Sequence, residues 1–164
     1  MKVYLDIETD RHGDVCVIGI FSQPGGFVQF YGEDVTASNL ENALSGAKTI
    51  VTFNGDSFDL PTLDKYFDLD LKGNCSSLDL LKVKKNLGLK GGLKELEKQY
   101  GIKRKTEGIN GYKAILLWEK YLKKGQMSAL RLLLEYNKED VLNLIPLEEI
   151  FFEQLKEQNY GRAV

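Results

Sequence analysis

Four acidic residues and one tyrosine occupy positions from which they could act together. Asp6 and Glu8 lie two apart in MKVYLDIETD, where Val3, Leu5 and Ile7 alternate with Tyr4, Asp6 and Glu8. That is the period of a strand, so both carboxylates leave one face while the apolar residues pack on the other. Carboxylates held this close repel unless a proton or a cation lies between them, and hard oxygen donors suit Mg²⁺ or Mn²⁺. Asp59 stands in VTFNGDSFDLP, just after a short apolar run and at a turn that enters a helix. Asp140 stands in LLLEYNKEDVLNL with Tyr136 four residues before it, so phenol and carboxylate share one helical face. Gathered in one place, these groups could hold divalent cations and position a water for hydrolysis.

Each feature alone has a plainer explanation. Asp-x-Glu could be an acidic solvent face of a strand, and Asp59, with Pro61 two residues on, could be a helix cap. Asn54 and Gly55 suit a tight turn, although Gly55 would also let a substrate backbone come close. Around Asp140, Leu132, Leu133, Val141 and Leu144 could simply pack a core. Asp79, in CSSLDLL, reads equally as a carboxylate supporting the site and as one at a helix N-terminus.

The elements that would position these groups can be read along the chain. Residues 15–22 and 27–31 are β-rich runs joined by Gln23-Pro24-Gly25-Gly26, a hairpin turn, so three antiparallel strands open the chain. Ser38 and Glu41 have capping-box spacing ahead of a helix through about Leu44, closed by Gly46. Residues 49–53 read as a buried strand ending at Asn54-Gly55, and a brief strand is expected at 75–77. Helices follow over 59–67, 78–87, 93–100, 112–124 and 128–158, the last kinked or restarted near Pro146. Trp118, inside AILLWEKYL, reads as core, and residues 160–164 as a frayed end. The order βββαβα followed by helices points to an α/β fold, a central mixed sheet flanked by helices.

The whole chain has 164 residues with 22 Lys/Arg and 24 Asp/Glu, a net charge of −2 that as a bulk property argues against a polyanionic partner. Resolved along the chain, residues 1–79 carry 5 Lys/Arg against 13 Asp/Glu, residues 80–125 carry 13 against 4, and residues 126–164 carry 4 against 7. A basic middle therefore follows an acidic start, and Lys103, Arg104 and Lys105 are its densest triplet. The length fits a single domain spanning 1–164. No apolar run approaches the ~18 residues of a membrane span. One histidine, His12, makes a His-rich zinc site a poor reading. Cys16 and Cys75 lack metal-ligand spacing, which with the absence of a secretory signal favours reduced thiols in the cytoplasm.

YLDIET, NGDSFDLP and YNKED, in that order, make the chain resemble the DEDD superfamily of 3'-5' exonucleases, with an RNase H-like fold. The resemblance covers about residues 1–150. Asp6 and Glu8 match the first motif, Asn54, Phe58 and Asp59 the second, Tyr136 and Asp140 the third. A histidine branch would carry His five residues before Asp140, where this chain has Glu135, so the tyrosine branch is the better match. The chain looks most like YprB-like exonucleases and the proofreading domains of family B DNA polymerases. The resemblance implies a two-metal-ion hydrolysis with Mg²⁺ or Mn²⁺, releasing nucleoside 5'-monophosphates from single-stranded 3' ends of DNA or RNA. It further implies that Asp6 bridges both ions, that Glu8 and Asp140 complete the nucleophile-side ion, that Asp59 acts through water on the other, and that Tyr136 orients the attacking water. Asn54, Gly55, Phe58, Lys103, Arg104 and Lys105 are the expected substrate contacts, with Phe58 placed to stack or wedge a base. The rival expectations are an endonuclease of the RNase H or resolvase kind and a nucleic-acid-binding module without catalysis.

Overall fold

In a computed structural model describing residues 1–161, five strands form one sheet in the order β3-β2-β1-β4-β5. The strands are β1 (Lys2–Thr9), β2 (Val15–Ser22), β3 (Gly26–Tyr31), β4 (Thr49–Thr52) and β5 (Ser76–Asp79). The first three pair antiparallel, while β4 pairs parallel with β1 and with β5. This is the expected mixed sheet, and it puts β1, the strand carrying Asp6 and Glu8, at the centre.

Eight α-helices are described: α1 (Ala37–Leu44), α2 (Asp59–Phe67), α3 (Leu71–Asn74), α4 (Leu80–Asn86), α5 (Leu93–Gln99), α6 (Gly111–Lys124), α7 (Met127–Leu142) and α8 (Leu144–Gly161). The sheet separates two apolar layers. Val3, Leu5 and Ile7 of β1 pack with Leu40 and Leu44 of α1, Leu60 and Leu63 of α2 and Leu71 of α3. On the other face Cys16 and Val17 meet Trp118 of α6 and Leu130 and Leu133 of α7. Beside them Val51 meets Leu80, Leu96, Leu147 and Phe151 from α4, α5 and α8. The period of two along β1 thus delivers Tyr4, Asp6 and Glu8 to the face that α4 to α8 cover, so their surroundings are protein rather than open solvent.

Several boundaries differ from expectation, each for a local reason. The cap of α1 is Thr36, whose hydroxyl accepts from the Asn39 amide at 3.2 Å; Ser38 is already inside the helix. The fifth strand is shifted to Ser76–Asp79, because Leu78 and Asp79 pair with Val51 and Thr52, and α4 therefore begins at Leu80. The last long helix is two: α7 ends before Asn143, and Pro146 sits in the first turn of α8, where its missing N–H costs no helical bond. Leu132 is 38% exposed and does not join the core, whereas Leu133, Val141 and Leu144 do. Of the frayed end expected at residues 160–164, the part from 162 onward lies outside the described residues. No helix among the described residues is long and apolar enough to cross a membrane.

Candidate active site

Carboxylate oxygens of Asp6, Glu8 and Asp140 lie within 4.8 Å of one another. Two come from the central strand and the third from α7, which crosses that strand's inner face. The approach of α7 depends on Gly19 of β2, the residue paired with Asp6: a Cβ there would stand 2.4 Å from Oδ1 of Asn137 and 2.9 Å from Cγ2 of Val141. Asn137 itself is fully buried. Its amide donates to Oδ2 of Asp6 at 2.9 Å and to the Asp6 carbonyl at 3.1 Å, and its oxygen accepts from Gln29 at 2.7 Å. One asparagine therefore fixes the orientation of the Asp6 carboxylate and ties it to β3.

Asp59 reaches the same region by a different route. Parallel pairing between β1 and β4 covers Lys2, Val3 and Tyr4 only, so the Ile7 amide has no strand partner on that side. The carboxylate of Asp59, buried at the first position of α2, accepts from that amide at 3.1 Å. Asp59 is thus no exposed cap; it satisfies a buried donor between the two β1 acids. The turn preceding it is organised by Asp79, whose carboxylate accepts from the amides of Asn54 at 2.7 Å, Asp56 at 3.2 Å and Leu81 at 2.9 Å. Both readings of Asp79 hold, since it caps α4 and supports the turn. Asn54 adopts φ of 70°, and a Cβ at Gly55 would lie 2.2 Å from the Thr52 hydroxyl oxygen. The close approach that Gly55 permits is therefore to Thr52, inside the protein. Phe58 is 44% exposed beside Asp59, free to meet a ligand.

Burial and mutual repulsion leave this cluster short of positive charge. Desolvation, and then the neighbouring carboxylates, push the Asp6 and Glu8 carboxyls well above their ordinary range. Desolvation also raises Asp59, to about 7, against the lowering effect of the Ile7 amide. Asp140 is raised by burial despite two cations, Lys94 and Arg104. The Lys94 ammonium lies 3.2 Å from each Asp140 oxygen and 4.5 Å from the centre of the Tyr136 ring. Tyr136 is 3% exposed, and burial next to Asp140, Glu8 and Asp6 drives its phenol above the ordinary tyrosine range, so it stays protonated at neutral pH. An all-carboxylate, desolvated set whose charge Lys94 and Arg104 compensate only in part is the donor chemistry a hard divalent cation satisfies. Asp6, Glu8 and Asp140 fit such an ion, with Asp59 beside them.

The basic triplet does not act as one surface. Arg104 is turned inward, its side chain 6% exposed, and forks onto Glu97 at 2.7 and 2.6 Å while also bonding Asp140. Lys105 is exposed, and its ammonium lies 3.8 Å from Glu135. Lys103 is exposed as expected. Lys94, Asn137 and Glu97 were not singled out from the sequence. Asn137 alone carried a usable signal, as the neighbour of Tyr136 on a helix whose next residues turn toward the strand; Lys94 is one lysine among many until the fold brings it to Asp140.

A family model described as the RNase_H superfamily matches residues 3–151. The chain belongs to the RNase_H superfamily. No curated protein matches this superfamily member in sequence. Among solved structures it is similar to the family B DNA polymerase from the hyperthermophilic archaeon Pyrobaculum calidifontis, with a TM-score of 0.65 and 15% identity over 87% of this chain. The match covers 24% of the polymerase, so the chain spans about a quarter of that protein's length. The RNase H-like fold expected from the motifs is thereby established. Superfamily membership supports a nuclease that acts on nucleic acid with divalent metal, for which the buried acidic cluster is in place.

Proposed function

We propose that this member of the superfamily is a metal-dependent 3'-5' exonuclease of the DEDD tyrosine branch. Acting as one catalytic domain over residues 1–164, in the cytoplasm, it releases nucleoside 5'-monophosphates from single-stranded ends. The observation that carries the reading is the convergence of Asp6, Glu8 and Asp140 with buried Tyr136 against them. Likeness of the fold to part of a family B DNA polymerase supports it, as does the match of all three motifs.

Asp6, Glu8, Asp59 and Asp140 would hold two ions, Mg²⁺ or Mn²⁺. When bound, such ions acidify the attacking water and stabilise the leaving 3' oxygen. Asn137 keeps the Asp6 carboxylate in one orientation. Tyr136, a neutral phenol, is a hydrogen-bond partner that orients the water rather than a base that deprotonates it. Phe58 offers an apolar face to the terminal base, exposed Asn54, Lys103 and Lys105 complete the substrate contacts, and Arg104 acts only by holding Asp140.

The test is degradation of a single-stranded oligonucleotide carrying a 5' label, with Mg²⁺ or Mn²⁺. A ladder shortening from the 3' end is expected, and Asp6→Ala or Asp140→Ala should abolish it while the chain remains folded. Full activity in either variant would falsify the assignment. Cleavage of a circular single strand would instead mark an endonuclease, and binding without turnover would mark a recognition module.

A further inference from the structure

Two cations meet the acidic cluster, and they are held differently. Arg104 is buried and forks onto Glu97 as well as bonding Asp140, so two carboxylates on two helices fix its guanidinium. Lys94 has one carboxylate partner among the described residues, Asp140, and its side chain is 34% exposed. Its ammonium lies 3.2 Å from both Asp140 oxygens. Oδ1 accepts from Arg104 and Lys94 together, which uses both of its in-plane lone pairs, and Oδ2 accepts from Lys94. Burial raises the carboxyls of Asp6 and Glu8, and the Lys94 ammonium acts against that rise at both. Lys94 thus sets a positive charge against the atoms through which Asp140 would ligate a metal. A divalent cation and an ammonium on one carboxylate edge repel each other, so one must give way. Arg104 is anchored. Lys94 has a flexible four-carbon stem and lines a groove of about 790 Å³ between α5 and the segment 101–110, into which its head can withdraw.

We propose that Lys94 is a displaceable counter-ion of the metal site: its ammonium holds Asp140 until a divalent cation binds and then withdraws into the groove, so that loading the site exchanges one cation for another. The inference rests on the divalent-metal reading of the cluster and adds to it a positioning residue that sets the metal affinity. Before metal binds, the ammonium offsets part of the repulsion among Asp6, Glu8 and Asp140 and keeps them gathered. Each ion bound must break the Lys94–Asp140 contact, so the affinity is lower than the carboxylates alone would give.

The experiment measures acylation of Lys94 in the whole wild-type chain at pH 8, in EDTA and across an Mn²⁺ series, with sulfosuccinimidyl acetate as the reagent and peptide mass spectrometry as the readout. An ammonium held between two carboxylate oxygens is shielded from the reagent, and one released into an open groove meets it. The Lys94 rate should rise severalfold along the same curve as Mn²⁺ binding followed by calorimetric titration, while Lys123 and Lys124, at the exposed end of α6, react at an unchanged rate. Lys94→Met keeps the stem and removes the charge. Its affinity for Mn²⁺ should rise by roughly tenfold, the scale of one charge-assisted hydrogen bond that the ion no longer has to break. The variant should also melt below wild type in EDTA and together with it in saturating Mn²⁺, whereas a merely structural lysine would leave the same deficit in both media. An unchanged Lys94 acylation rate while Mn²⁺ binds would overturn the proposal and leave the metal site standing. So would an equal deficit in both media, or Mn²⁺ binding by Lys94→Met no tighter than wild type. Absence of any Mn²⁺ binding heat would overturn the metal reading itself, and the exchange with it.

Discussion

At the scale of single residues, the site depends as much on what holds the carboxylates as on the carboxylates. Asn137 is the clearest case, because it is fully buried and spends both ends of its amide on positioning, toward Asp6 and toward Gln29. Asn137→Ala removes the donor to Oδ2 and leaves the Gln29 amide only its bond to the Leu134 carbonyl. Groups that orient ligands in this way typically contribute about 10- to 100-fold in metal affinity or activity. Isothermal titration with Mn²⁺ should show that weakening, and wild-type affinity in the variant would remove Asn137 from the site. Tyr136→Phe tests a different property. A phenol kept neutral by burial next to three carboxylates contributes a hydrogen bond and no charge. Turnover in Tyr136→Phe should therefore fall while Mn²⁺ titrates as in wild type, and unchanged turnover would exclude a water-orienting role. Arg104 is a positioning residue rather than an exposed phosphate contact. Its fork on Glu97 and bond to Asp140 need a planar guanidinium, so Arg104→Lys should not be conservative.

At the scale of elements, the decisive contact is α7 against β1 and β2, and Gly19 sets its distance. Gly19→Ala puts a methyl into the space of Asn137 and Val141, where neither can withdraw without moving the helix. Overpacking of that kind costs about 1–3 kcal/mol. For a chain of this size that corresponds to a fall in Tm of roughly 2–10 °C by differential scanning calorimetry, with activity falling alongside. The sequence carried the alternation of β1, the hairpin turn at residues 23–26 and the helix over Asp59–Phe67, because those depend on local periodicity and turn chemistry. It could not carry the role of Gly19, since a strand glycine is explained only by what another element brings near it. The same holds for Lys94 and Arg104: their lysine-rich segment reads as a solvated face, and only the meeting of α5, the 101–110 segment and α7 turns two of its cations onto Asp140. The shifted fifth strand is a further instance, for Leu78 and Asp79 are helix-compatible residues recruited by pairing with β4.

At the scale of the whole molecule, the acidic cluster couples folding, pH and metal. In the unfolded chain an aspartate titrates near 4, whereas burial holds Asp59 up to about 7 and raises Asp6, Glu8 and Asp140 as well. Between those pH values the folded state binds more protons than the unfolded one, so stability falls as pH rises through the window. A single group raised from about 4 to about 7 costs on the order of 4 kcal/mol once ionised, and Lys94 and Arg104 offset only part of the repulsion. Asp56 and Glu139 are shifted the opposite way, held low mainly by Lys82 and Ser77 and by Thr106 respectively, and their stabilising effect is lost only as the medium becomes more acidic than about pH 4. They therefore leave the sign above pH 5 unchanged. In EDTA, Tm should decline steadily from pH 5 to pH 8. A divalent cation binds the folded, deprotonated cluster and not the unfolded chain, so it stabilises by mass action, by about 2.7 kcal/mol at a hundred times its Kd. Because ligands must lose protons to bind it, the Mn²⁺-induced rise in Tm should be small at pH 5 and largest at pH 8. Calorimetry across that range with and without Mn²⁺ checks both slopes. A flat profile in EDTA, or an Mn²⁺ shift independent of pH, would mean that Asp6, Glu8, Asp59 and Asp140 do not form one electrostatic unit.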